Sequence, residues 1–192
     1  LASLGDWPVL APACLAVLGW FAWRRLWMAA AHWLAALAFG LALTWLLGNS
    51  MDVVRPPSAS SGFGFPSIAV TMTTVAFGFF AVLIARELPG RDRIWPYLVS
   101  GAVVTVIGFA RLYLGAHWLS DVIGGMLLGV VWLLLLGIAY RARFNRSFWV
   151  KPVAAVFYGV FALAALWYAP RNIEAKLARF EPPPSVPVMA GL

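Results

Sequence analysis

The sequence predicts an all-α fold, a polytopic membrane bundle of six transmembrane helices. Three observations carry that expectation. The chain of 192 residues is 63% hydrophobic and only 11% charged, and its mean hydropathy of +0.87 lies well beyond that of soluble domains. Its apolar residues fall into separate runs close to the roughly 20 residues that a helix needs to cross a hydrocarbon core. The basic residues gather in the links between alternate runs, as charges that set membrane orientation do.

The first run, 7–23, opens without the basic start and small-residue cleavage site of a signal peptide, and more apolar spans follow it, so it is expected to be a retained span. Arg24 and Arg25 separate it from the second, 27–48. The next link, 49–64, is rich in proline, serine and glycine and is the one long enough to build a local loop structure. The third run, 65–85, is followed by Arg86, Arg91 and Arg93, and the fourth covers 94–114. The fifth, 117–140, is followed by Arg141, Arg143, Arg146 and Lys151, which bound the sixth, 150–169. Trp95 and Trp149 are expected to anchor the interface. Residues 1–170 therefore read as one six-helix domain, and 171–192 as a tail that is amphipathic from Asn172 to Phe180 and then Pro-rich.

The three basic links share one face, read as cytoplasmic, which leaves 49–64, the junction around 111–121 and the tail on the other. A net charge of +7 could point to nucleic acid, but the cations sit between membrane spans and serve orientation instead. The single cysteine, Cys14, lies in an apolar run and excludes an intramolecular disulfide or a cysteine metal cluster.

On the outer face, Arg111-Leu-Tyr-Leu-Gly-Ala-His117-Trp-Leu-Ser-Asp121 places a cation, an imidazole and a carboxylate in an otherwise apolar setting. An aspartate one turn into a span costs a few kcal/mol by insertion scales unless it is paired or faces a cavity. If the chain turns helical at His117, Asp121 shares its face and can hold the imidazole as base or nucleophile. The topology brings Arg55-Pro56 and Pro66-Ser67 to the same side. Two guanidiniums, a hydroxyl and a carboxylate-supported imidazole suit a phosphate, whose oxygens the arginines can grip bidentately. Taken singly, Arg111 reads first as a snorkelling interfacial cation and His117 as a headgroup-level polar residue, and it is the triplet with Asp121 that favours a site.

In these residues the chain resembles the type 2 phosphatidic acid phosphatase superfamily, over roughly the second to fifth spans, a motif-bearing core of about 27–141. Its three motifs run Lys-x6-Arg-Pro, Pro-Ser-Gly-His and Ser-Arg-x5-His-x3-Asp. The third is matched by Arg111, His117 and Asp121, with Ala110 in place of Ser. The first keeps Arg55-Pro56 but has Gly48 where Lys would stand, and the second reads Pro66-Ser67-Ile68-Ala69, without its Gly and His.

The resemblance implies that His117 attacks phosphorus to give a phosphohistidine, that Asp121 orients it, and that Arg55, Arg111 and Ser67 hold the phosphate, with no metal or cofactor. The expected partners are a lipid phosphate or diphosphate and the bilayer. The implied location is a bacterial inner membrane with the site facing the periplasm. Ala69 cannot protonate a departing alkoxide, so diphosphates, whose leaving phosphate is far less basic, are the expected substrates, polyprenyl diphosphates among them. His32, about 24 Å along a helix from Gly48, cannot replace that acid. Asp52 is a possible donor of unknown direction. Gly124, Gly125 and Gly129 read as helix-packing positions. The alternative function is a catalytically silent lipid-phosphate-binding protein. A channel or transporter ranks last, because the charges sit at one face and not at the midplane.

Overall fold

The computed structural model describes residues 1–51, 53–57, 64–143 and 150–171. Asp52, Trp149 and the expected tail lie outside the described residues. Among the described residues six α-helices form: α1 (Trp7–Trp23), α2 (Trp27–Ser50), α3 (Ile68–Glu87), α4 (Ile94–Tyr113), α5 (Leu119–Arg143) and α6 (Val150–Arg171). Short 3-10 turns precede α1 at Ala2–Gly5 and α4 at Gly90–Arg93. The helices α2 to α6 are long and apolar enough to cross a membrane. At 17 residues, α1 falls just short of that length, although a rise of about 26 Å still brings it close to the hydrocarbon thickness.

At the centre is α3, which packs against α2, α4 and α5 and is buried along nearly its whole length. A helix buried on every side must satisfy its polar side chains internally. Thr71, Thr73 and Thr74 do so by donating to the carbonyls of Ser67 (3.0 Å), Ala69 (2.7 Å) and Val70 (2.8 Å) one turn back. Away from the candidate site, Phe77, Phe79 and Phe80 of α3 interlock with Trp33 of α2 and Phe157 of α6, with ring centroids 4.2–6.3 Å apart.

Indole N–H groups tie neighbouring helices together. Trp33 donates to the Cys14 carbonyl across α2 and α1, and Trp132 to the Ala36 carbonyl across α5 and α2, both at 3.0 Å. Such bonds matter where lipid gives helices no hydrophobic reason to associate. Helix α1 lies chiefly against α6.

The ends of the helices sort as the alternating links require. The segment after α2 meets the start of α5 through Trp118 Nε1–H donating to the Val54 carbonyl (2.9 Å). Arg111, near the end of α4, pairs with Asp6, just before α1. At the opposite end, His32 packs edge-on against Tyr140 at 5.3 Å, and Arg86 lies 5.5 Å from the same ring. His32 is thus a packing residue remote from the site.

Candidate active site

The site begins with a close approach of two backbones. A β-carbon at Gly64 would lie 2.4 Å from the Val53 carbonyl oxygen, so only glycine lets the two stretches of the link meet. The Gly64 carbonyl in turn faces His117 Nδ1 at 3.1 Å. A carbonyl only accepts, so Nδ1 carries the proton and Nε2 keeps its lone pair. Gly64→Ala should push this carbonyl away and cost about 1–3 kcal/mol through overpacking. A lower melting temperature together with weaker activity would register the change, and a variant unchanged in both would sink this account of Gly64.

The helical start differs from the expectation. α5 begins at Leu119, two residues after His117, and the Trp118 carbonyl accepts its first helical bond from Val122 N–H (3.3 Å). His117 therefore stands on the turn before the helix. Asp121 still reaches it by folding back: Oδ2 accepts the Trp118 backbone N–H at 2.8 Å and lies 3.6 Å from His117 Nδ1. This is the acidic half of a capping box, satisfying an orphan donor at the helix start. Asp121 thus acts on His117 by proximity of charge, while Gly64 takes the hydrogen bond. Asp121 is fully buried, and His117 is 8% exposed.

Burial, reinforced by the positive charges of Arg55 and Arg111, holds the His117 imidazole below its ordinary 6.5, with Asp121 and the Gly64 hydrogen bond opposing the shift. The ring is therefore neutral near pH 7, as a nucleophile needs to be.

Arg55 Nη2 donates to the Ala116 carbonyl (3.4 Å), one residue before His117. Together with the Trp118–Val54 bond, this ties the segment after α2 to the turn that carries the imidazole. Ser67 is fully buried before α3. Its backbone N–H donates to the Asp121 carbonyl (3.1 Å), while its Oγ has no hydrogen-bond partner among the described residues. A buried hydroxyl of that kind fits a ligand oxygen. All five residues expected from the sequence thus lie at one end of the bundle, and His117 senses the charges of Arg55, Arg111 and Asp121 together.

One participant was not foreseen. Asp6 precedes α1 but makes no side-chain cap for it, and its carboxylate takes Arg111 Nη2 instead. Tyr168, near the end of α6, lies within electrostatic reach of both. Nothing in the sequence near Asp6 announces this, since its partner is 105 residues away.

The replaced motif positions are accounted for by packing. Gly48 continues the buried stripe Ala36, Gly40 and Thr44 on α2. Ala110 is buried on α4. The N-terminal 3-10 turn comes up against Ala69, where a β-carbon at Gly5 would lie 3.4 Å from the Ala69 methyl. Gly124, Gly125 and Gly129 admit the segment around α3: β-carbons there would meet the Phe65 ring at 2.2 Å, Thr71 Oγ1 at 2.9 Å and Thr74 at 2.7 Å. They are packing positions, as the sequence suggested.

Residues 50–148, which hold all of these motif positions except Gly48, match the family model described as the PAP2 superfamily. The chain belongs to the PAP2 superfamily. Phosphatidylglycerophosphatase B of Bacillus subtilis (strain 168) is 30% identical to this PAP2 chain over 121 residues, covering 59% of this chain and 58% of the relative. A putative undecaprenyl-diphosphatase of Escherichia coli (strain K12) is 30% identical over 119 residues, with the same coverage. The match thus spans less than two thirds of the length of these relatives. The PAP2 architecture is also that of a solved transmembrane PAP2-type phosphatidylglycerolphosphate phosphatase from Bacillus subtilis. That structure aligns with a TM-score of 0.63 and 26% identity over 76% of this chain and 75% of the other.

Proposed function

We propose that this PAP2 protein is a membrane lipid phosphate or diphosphate phosphatase working through a phosphohistidine at His117, on the periplasmic face of a bacterial inner membrane. The observation that carries the reading is the fixed tautomer of a buried imidazole: Nδ1–H is held by the Gly64 carbonyl, and Nε2 is left nucleophilic within electrostatic reach of two guanidiniums. Arg55 and Arg111 would neutralise the charge that develops on the equatorial oxygens, and the Ser67 hydroxyl would take one of them. Nε2 would attack phosphorus as the bond to the leaving oxygen breaks, and water would then release phosphate and regenerate the imidazole. The activities for which the two bacterial relatives are named, both on lipid-linked phosphates, support this substrate class.

The absence of a donor at Ala69 favours a less basic leaving group, and with it polyprenyl diphosphates. Purified protein in detergent micelles is expected to release phosphate from a polyprenyl diphosphate at least ~10-fold faster than from phosphatidate. Equal rates would overturn the preference. Because the neutral imidazole is the reactive form and its titration is pushed down, the acidic limb of kcat/KM is expected below pH 6.5. A limb above that value would contradict the site's electrostatics. A second reading, a silent lipid-phosphate-binding protein, draws on Gly48 and Ala69 standing in place of two functional side chains. Binding of lipid diphosphate without phosphate release, lost on Arg55→Ala, would favour it.

A further inference from the structure

We infer that Asp6 is the proton donor to basic leaving groups at this site, supplying from the segment before α1 part of the function that α3 cannot supply at Ala69, so that phosphatidate is hydrolysed, though more slowly than a diphosphate. The inference rests on the phosphatase reading and extends it to a residue outside the matched segment 50–148.

The first observation is the route of the chain. The 3-10 turn Ala2–Gly5 is pressed into the bundle. A β-carbon at Gly5 would lie 2.9 Å from Ile107 of α4, 3.4 Å from the Ala69 methyl and 3.5 Å from Thr73 Oγ1 of α3. The wall beside Ala69 is thus formed by this turn, and the next residue is Asp6. The second observation is where the carboxylate goes. An aspartate immediately before a helix ordinarily caps it, yet Asp6 makes no such bond and binds Arg111 Nη2. Its side chain remains 20% exposed and that of Arg111 17%, so the pair is partly open to solvent, and Arg111 is one of the charges that act on His117. The third is the role of Arg111. A phosphate gripped by this guanidinium lies beside the carboxylate already on it.

A phosphate monoanion gripped by Arg111 brings a proton of its own, which can pass to the carboxylate on the same guanidinium. Arg111 binds Asp6, and Tyr168 lies within electrostatic reach of it. In the first half-reaction, His117 Nε2 forms a bond to phosphorus and the bond from phosphorus to the leaving oxygen breaks, its electron pair staying on that oxygen. The Asp6 carboxyl proton moves to the same oxygen, so that the lipid alcohol or lipid monophosphate departs. In the second, a water oxygen attacks phosphorus and gives its proton to solvent, the nitrogen–phosphorus bond returns its pair to His117, and the Asp6 carboxylate takes up a proton from solvent.

The test compares two leaving groups in the full-length protein, phosphatidate for a basic alkoxide and farnesyl diphosphate for a weakly basic phosphate. Asp6→Asn keeps the shape and removes the transferable proton. It is expected to slow phosphatidate hydrolysis by at least ~100-fold and farnesyl diphosphate hydrolysis by less than ~5-fold, with Asp6→Glu restoring part of the loss. The diphosphate rate serves as the control for folding. Equal slowing on both substrates would make Asp6 a structural counter-ion of Arg111, and faster turnover of both would make it a competitor for the phosphate position. Either result overturns the assignment. So does wild-type protein that hydrolyses farnesyl diphosphate but not phosphatidate. Wild-type protein that releases phosphate from neither overturns the phosphatase reading and this assignment together.

Discussion

Replacing His117 with alanine should reduce phosphate release by about 10⁴-fold or more, since loss of a nucleophile leaves only positioning and electrostatic assistance. The expectation is specific to Nε2. The ring is fixed through Nδ1 by the Gly64 carbonyl, so no other atom of the residue is available to attack. Rapid-quench capture of a radiolabelled phosphate should find an acid-labile, base-stable phosphoenzyme in the wild type and none in His117→Ala. Because His117 is nearly buried and donates a single hydrogen bond to the link, binding of a lipid diphosphate should survive the substitution. A variant that retained substantial turnover would remove the nucleophile from this mechanism.

Asp121→Asn should lower kcat by about 10²–10⁴-fold, in the range seen when a carboxylate beside a catalytic histidine is neutralised. Three functions meet in this carboxylate: it satisfies the Trp118 N–H at the start of α5, lies 3.6 Å from His117, and counters the charge of Arg55. The asparagine oxygen can keep the first while the charge is lost. Asp121 opposes the downward displacement of the His117 titration, so its removal should move the acidic limb of the pH profile still lower. A fall in kcat with that additional shift would mark electrostatic support. A fall in melting temperature with an unmoved limb would mark helix capping alone.

The helices were legible in the sequence because each span is an uninterrupted apolar run bounded by cations or prolines, and a membrane leaves few alternatives to a helix for such a run. His117, Asp121, Arg55, Arg111 and Ser67 were legible because polar groups in apolar surroundings stand out and the alternating topology places them at one end. The partners of those groups were less so. The acceptor on His117 is a backbone carbonyl, Gly64, which has no side-chain signature, and it reaches the ring only because Val53 leaves no room for a β-carbon. The start of α5 at Leu119 was masked by continuous hydrophobicity, and the fold-back of Asp121 decides it locally. Asp6 went unremarked, because its place depends on a contact between the segment before the first helix and the fourth helix that no local pattern encodes.

That contact also orders the birth of the protein. The neighbours α3, α4 and α5 can dock soon after they enter the bilayer, through short links. The Asp6–Arg111 pair spans 105 residues, and α1 must wait in the membrane until α4 has been synthesised before the two charges meet. Until then Asp6 waits without that guanidinium. A nascent chain halted before α4 can hold its first three helices in lipid, but it has no centre at which to receive phosphate.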